Sequence, residues 1–359
     1  MRTRVTGFDV ARALAIFGMV IVNFKIAMNA ETGSSLLLAF SALFEGRASA
    51  LFVILAGVGV TFLTNKAREA NNPDRAKKAA YALIKRGVLL VAIGLLYVPI
   101  WEADILHFYG FYFLIAAAVF MLSNQRLLLV SVGIMFAFPL LMMVFNYDAN
   151  WDWDTLTYQH FWTVDGMFRH IVFNGFHPVF PWAAFLVFGM WLGRQDLSQP
   201  ALRKRLFIQS MVTFVVIEAV FWGLRTIVGN GSEFELTPEE ATLLFSTSII
   251  PPLPQYMLSA ASSAVMVLIT CLYLSDKFSS SRIHFWLNQT GKMSLTLYVA
   301  HVIIGLGVLE ALGRLSDESI EFSLLSSLVF CIFSVIFSVV WLRFFSSGPL
   351  EWLFRKAAT

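Results

Sequence analysis

The run Val10-Ala11-Arg12-Ala13-Leu14-Ala15-Ile16-Phe17-Gly18-Met19-Val20-Ile21-Val22-Asn23-Phe24-Lys25-Ile26-Ala27-Met28 decides the fold. A helix needs about 20 mostly apolar residues to cross about 30 Å of hydrocarbon, and this run has that length and character. Nine further runs of the same kind sit near 48–64, 83–100, 105–122, 127–145, 178–193, 206–228, 255–275, 293–312 and 323–345. The reading is all-α: a polytopic transmembrane helix bundle of about ten helices, forming a single integral membrane domain over residues 1–359. The apolar runs are continuous rather than alternating, which excludes a β-barrel.

Composition agrees. The chain is 58% hydrophobic and 14% charged, with a mean hydropathy of +0.72. Soluble domains are about 45–50% apolar and about 25% charged, so this much apolar surface calls for lipid around it. The 35 Phe and 10 Trp suit lipid-facing surfaces and interfacial belts. Cys271 and Cys331 both lie inside apolar runs, which argues against a disulfide framework or a metal site. No small-residue cleavage site follows the first run, so it reads as a retained helix and not a signal peptide.

Charge sets the orientation. With the N-terminus inside, the inner segments hold Arg2 and Arg4, Lys66 to Arg86, Arg126, Arg194 to Arg205, Lys277 to Lys292, and Arg343 with Arg355 and Lys356. The outer segments hold Glu102; Asp148, Asp152, Asp154 and Asp165; Glu233, Glu235, Glu239 and Glu240; and Asp317, Glu318 and Glu321. Basic and acidic segments alternate, as the positive-inside pattern requires for ten spans with both termini in the cytoplasm. The longest stretch outside the spans, 146–177, is rich in Trp, Tyr, Phe and Asp. It reads either as a lid packed on the membrane surface or as a plain interfacial loop.

Ionisable groups inside a bilayer cost roughly 2.5 kcal/mol or more, so each needs a reason. The first helix carries Asp9 and Arg12 near its inner end and Asn23 near its outer end. Arg12 and Asn23 are eleven residues apart, which returns to nearly the same helix face about 16 Å along the axis. They form one polar stripe, or Asp9 and Arg12 mark a helix end and snorkel. Glu45-Gly46-Arg47 opens the second span; Arg47 is an interfacial snorkel or a buried guanidinium able to bind a carboxylate or hold an oxyanion. Ala56-Gly57-Val58-Gly59 permits close helix contact, within one chain or between the two of a homodimer.

Asp104 and His107 are three apart and share a helix face. A carboxylate beside a histidine fixes its tautomer and raises its basicity, as a general base requires; the plainer reading is an N-cap and an interfacial histidine. His177-Pro178-Val179-Phe180-Pro181-Trp182 suggests a broken helix start lining a cavity, and Pro251-Pro252-Leu253-Pro254-Gln255 is a similar entrance. Glu218 and Arg225, seven apart on one face, pair with each other or with other helices, and a structural ion pair is the plainer reading. Ser294, Tyr298 and His301 make one face of the ninth run polar, and His301 is either a bundle histidine or part of a substrate path.

Phe8-Asp9-Val10-Ala11-Arg12 through Asn23-Phe24 resembles the first helix of the transmembrane acyltransferase superfamily, which includes heparan-α-glucosaminide N-acetyltransferase and membrane O-acyltransferases of bacterial surface glycans. Within it the chain is most similar to the YeiB-like bacterial membrane proteins. Phe44-Glu45-Gly46-Arg47, Asp104-Ile105-Leu106 with Tyr109, Gly291-Lys292-Met293-Ser294-Leu295-Thr296 and Gly348-Pro349-Leu350-Glu351-Trp352 carry that likeness. His177 through Arg194 is similar to the matching helix of the heparan branch.

The resemblance implies a multi-pass protein of the bacterial cytoplasmic (inner) membrane. It implies acyl-CoA, with acetyl-CoA as the simplest donor, as co-substrate from the cytoplasm, no metal, and a small-molecule or glycan acceptor outside. Membrane lipid is the expected surround, and no nucleic-acid partner is expected. Arg12 matches the family arginine. The glycan O-acyltransferases have a histidine eleven residues after it, where this chain has Asn23; the heparan branch keeps an asparagine there and uses a histidine just before its second helix, whereas here the first histidine is His107. The expected catalytic set is His107 as base, Asp104 as its orienter, Arg47 or Asn23 as oxyanion donors and His177 as reserve base. Arg12, Lys85, Arg86 and His301 are the expected donor-binding residues. The rival expectation is a transporter of a small anion or lipid-linked metabolite, with Glu218, Arg225 and His301 along its path.

Overall fold

The computed structural model describes residues 5–70, 72–229 and 237–358. Arg2, Arg4, Glu233 and Glu235, which belong to the alternating charge pattern, lie outside the described residues. Helices α1 (Thr6–Ala27), α2 (Ser35–Ala42), α3 (Arg47–Glu69), α4 (Pro73–Tyr97), α5 (Leu106–Val119) and α6 (Asn124–Val144) precede a small hairpin of strands β1 (Trp151–Asp152) and β2 (Thr157–Tyr158). Next comes α7 (Val164–Arg169), which runs on as a π-turn over His170–Asn174, followed by α8 (Val179–Leu192), α9 (Pro200–Gly229), α10 (Pro238–Phe245) and α11 (Pro254–Lys277). The chain ends with α12 (Arg282–Gly291), α13 (Ser294–Ala300) and its π-turn His301–Leu306, α14 (Gly307–Ala311), α15 (Ile320–Phe344) and α16 (Pro349–Ala358).

The protein is therefore an all-α, multi-pass membrane bundle, and every apolar run of the sequence falls on a helix. Among the described residues eight helices are long and apolar enough to cross a membrane, and a ninth span is formed if Val164–Asn174 and Val179–Leu192, bent by 49°, are taken together. The remaining run is α5, with 14 residues. At 1.5 Å per residue it reaches about 21 Å, short of the roughly 30 Å of hydrocarbon. Irregular backbone is tolerated at such depth only where protein covers it; Asp104 and Ile105, which lead directly into α5, are buried, whereas Pro99, Ile100 and Glu102 earlier in the turn are exposed.

The described residues divide into two compact units, 5–52 with 263–356, and 53–262 with 357–358. In the first, α1 packs on α12 and α15. The link after α1 is tied to the start of α15: Asn29 Nδ2 donates to Asp317 Oδ1 at 2.6 Å, Glu321 Oε1 accepts from Ser34 N at 2.8 Å, and Ile320 N donates to Thr32 O at 2.9 Å. Two motifs far apart in sequence meet here. The Glu351 carboxylate accepts from Leu295 N at 2.7 Å, Thr296 N at 3.1 Å and Thr296 Oγ1 at 2.6 Å. It thereby satisfies first-turn N–H groups of α13 that have no partner within the helix.

In the second unit one helix end is set by local sequence and another by a distant side chain. Asn72 caps α4, accepting from Asp74 N at 2.9 Å and Arg75 N at 3.2 Å, with Pro73 at the first helical position. Arg194 closes the other end of α5, donating to Phe120 O and Leu122 O at 2.6 Å each. Burial and the neighbouring Arg68 charge lower the Arg194 pKa to about 10. The small-residue face of α3 is used within this chain: a Cβ on Gly57 would lie 2.8 Å from the Met190 amide nitrogen, and one on Gly189 would lie 3.0 Å from Ile54 Cα. Thr61 Oγ1 donates to Met190 O at 2.7 Å across the same contact. The stretch 146–177 is more than a loop, since it holds the hairpin, α7 and the π-turn.

Candidate active site

The site grows from the first turn of α5. Asp104 stands two residues before Leu106, the first residue of that helix, and its Oδ2 accepts from His107 N at 3.2 Å and from His107 Nδ1 at 2.9 Å. Both side chains are fully buried. The turn fits closely because α4 offers Gly94 there: a Cβ on Gly94 would lie 2.7 Å from His107 Cα. A proton on Nδ1 donated to Asp104 leaves the lone pair on Nε2. That Nε2 atom is buried and accepts no hydrogen bond in the structure.

Two further imidazoles stand around the same ring. His107 and His170 stack, with centroids 5.7 Å apart and planes 22° apart. Phe108 lies 4.0 Å from His107, 5.2 Å from His170 and 6.1 Å from His177. His177 in turn meets Trp182 at 4.5 Å. His170 is also flanked by Tyr158 at 4.6 Å and Phe161 at 4.9 Å. His170 was not among the residues expected from the sequence. It lies in a short helical segment with no span of its own, and the only signal was a histidine in the largely apolar stretch 168–173.

The hairpin is fastened over His170 by Asn174. Its side-chain amide donates to Tyr147 O at 2.8 Å and Ala149 O at 2.9 Å, its Oδ1 accepts from Tyr158 Oη at 2.9 Å, and its carbonyl accepts from Trp151 Nε1 at 2.5 Å. Burial raises the Tyr158 pKa, which keeps that hydroxyl a donor. Glu102 Oε2 accepts from Tyr158 N at 3.1 Å, joining the hairpin to the turn before α5. Tyr112 Oη donates to His177 O at 2.5 Å and fixes the chain as it enters the bent start of α8. Phe180 has non-helical backbone angles (φ −96°, ψ 117°), so the helix entrance is broken as the prolines suggested.

Of the other donor-binding candidates in this unit, Lys85 and Arg86 are half-buried on α4, with Lys85 Nζ 5.0 Å from the Tyr81 ring centroid. Glu218 and Arg225 do not pair with each other. Thr247 Oγ1 and Ser259 Oγ donate to Glu218 at 2.9 and 2.5 Å, and Arg225 Nη1 donates to Phe245 O at 3.3 Å. Partners from other segments satisfy both groups better than a helical neighbour does.

The first unit holds the other expected residues. Asp9, buried, pairs with Arg12 at 2.6 Å, so that guanidinium is balanced by a carboxylate of its own helix. Asn23 Nδ2 lies 2.8 Å from His301 Nε2, joining residues 278 apart in sequence. His301 Nδ1 bonds the carbonyl of Tyr298 at the start of the π-turn. With Nδ1 donating there, Nε2 accepts from the Asn23 amide and one amide N–H is left for another acceptor. Arg47 is half-buried and is the first residue of α3.

Known proteins share this sequence pattern. Residues 191–359 match the family described as Protein of unknown function (DUF418). The chain is 20% identical over 414 aligned positions to Uncharacterized protein YxaH of Bacillus subtilis (strain 168), covering 99% of this chain and 94% of that protein. Residues 4–226 match the family described as Heparan-alpha-glucosaminide N-acetyltransferase, catalytic. That match spans more than half of the chain and includes the whole Asp104–His107–His170–His177 cluster, and the chain accordingly belongs to that catalytic family as a YeiB-like membrane protein.

Proposed function

We propose that the protein is a membrane acyltransferase that moves an acyl group, acetyl in the simplest case, from cytoplasmic acyl-CoA to a hydroxyl or amine acceptor on the outer side of a bacterial inner membrane, with both termini inside. The observation that carries this reading is the buried Asp104–His107 pair with Nε2 left bare. Support for the donor comes from the acetyltransferase family match.

In this account Asp104 holds the Nδ1 proton and orients the ring, and His107 Nε2 takes the acceptor proton as the acceptor attacks the thioester carbonyl. The collapsing intermediate breaks the C–S bond, and the same proton passes to the leaving sulfur. His177 is the reserve base. Lys85 and Arg86 are proposed as contacts for the donor's phosphates. The roles expected from the sequence for Arg12, Asn23, Arg47 and His301, which belong to the first unit, are each tested by an alanine variant of that residue.

Release of the CoA thiol from acetyl-CoA, measured in membranes carrying the wild type or His107→Ala, tests the proposal. General base catalysis contributes roughly 10²–10⁴-fold, so a loss of that size is expected with the variant still folded in detergent. Wild-type rates in His107→Ala remove His107 from the site. The rival reading, a transporter, requires solute flux into proteoliposomes with no acyl donor present.

A further inference from the structure

Four polar atoms in the aromatic cluster of the second unit are buried and lack a hydrogen-bond partner: His107 Nε2, His170 Nδ1, His177 Nδ1 and Trp182 Nε1. Their side chains are at least nine-tenths buried; the most exposed, His177, is at 8%. Leaving one such group unsatisfied costs about 1–3 kcal/mol. Phenylalanine at His170 or His177 avoids that cost and still offers an aromatic ring to the same neighbours. Four together mark a place where something else supplies the bonds.

The chemistry of the four narrows what that is. A neutral imidazole nitrogen is a donor or an acceptor according to tautomer, and an indole N–H only donates. Asp104 is the one carboxylate paired with any of these imidazoles among the described residues, and it serves His107. The walls are aromatic: Phe108, Phe161 and Tyr158. A group that both donates and accepts, and carries no charge, suits such a place. A hydroxyl gives its proton to His107 Nε2 and accepts from a ring N–H. An amine of ordinary basicity arrives as an ammonium ion, and burying that charge among neutral rings is costly unless a carboxylate pairs with it.

We infer that His170, His177 and Trp182 form, with His107, the binding site for a neutral hydroxyl acceptor, so that the product is an ester and not an amide. This rests on the acyltransferase reading above and narrows its acceptor. The step balances: the acceptor oxygen forms a C–O bond to the acyl carbon, the thioester C–S bond breaks, and the hydroxyl proton travels through His107 Nε2 to the CoA sulfur.

The test works whatever molecule carries the hydroxyl. Membranes containing the full-length wild type or His107→Ala are given acetyl-CoA radiolabelled in the acetyl group. Label that enters the lipid and glycan fraction only with the wild type is then treated with mild alkali, which cleaves esters and spares amides. Release of that label is expected. Alkali-stable label overturns the hydroxyl assignment while leaving the acyltransferase reading standing, and absence of any wild-type-dependent label removes both. Trp182→Phe deletes the indole nitrogen and His170→Phe both imidazole nitrogens, and each leaves an aromatic ring in place. Each is expected to raise the acceptor KM roughly two- to tenfold, the range of one neutral hydrogen bond, with a smaller change in kcat. Unchanged KM in both variants overturns their place in the site.

Discussion

Replacing Asp104 by Asn separates its two jobs. The carboxylate Oδ2 accepts from His107 N at 3.2 Å, as a cap does, and from His107 Nδ1 at 2.9 Å, as an orienter does. Asparagine caps about as well as aspartate, so the first bond survives and the stability loss should stay within about 1 kcal/mol. The second job does not survive. The amide carries no charge to balance the imidazolium formed on proton transfer. Loss of such an orienter lowers turnover by up to about 10⁴-fold in enzymes of the Ser-His-Asp type, and roughly 10²-fold or more is expected here. The assays are thermal unfolding in detergent and CoA thiol release, run on the same preparations. A small shift in Tm with a large loss of rate is the expected pair. A wild-type rate in Asp104→Asn would refute the claim that this carboxylate prepares a base, and a collapse of Tm with proportional loss of activity would make the pair structural.

Other variants test the scaffold. Gly57→Leu places a side chain against the backbone at Gly189 and Met190, which has no flexible group to yield; overpacking of this kind costs about 1–3 kcal/mol, read as a lower Tm in detergent. Glu351→Ala removes the carboxylate from Leu295 N, Thr296 N and Thr296 Oγ1, and should destabilise by about 1–3 kcal/mol and hasten proteolysis of the tail; an unchanged digestion pattern counts against the clamp. Asn174→Ala releases two side-chain bonds to Tyr147 and Ala149 and the one from Tyr158. It should expose residues 151–158 to limited proteolysis while leaving the cleavage of other loops unchanged.

The spans were legible because a chain with this many long, continuous apolar runs has too little polar surface to cover them in water. Asp104 and His107 were legible because their spacing is local. What escaped the sequence was long-range. Asn23 finds His301 across 278 residues, and Glu351 finds Thr296 across 55; each segment stood out separately, but nothing in one names the other. Of the two alternatives open for Glu218 and Arg225, bonds to other segments are the ones formed, and helical spacing could not choose, since it says which residues share a face and not which distant hydroxyls compete for it. His170 was hidden because 164–174 is too short for a span and too mixed in polarity to read as a helix. Its place beside His107 depends on the bend at 175–178, which no periodicity reports.

Acyl transfer stands or falls on the donor, so the decisive measurement is binding of acetyl-CoA and longer acyl-CoA to the purified protein, followed by calorimetry with Arg12→Ala in parallel. Saturable binding to the wild type, weakened in Arg12→Ala, is the expected result. Well-folded wild-type protein that binds no acyl-CoA would contradict the acyltransferase reading and leave the family match describing the fold alone.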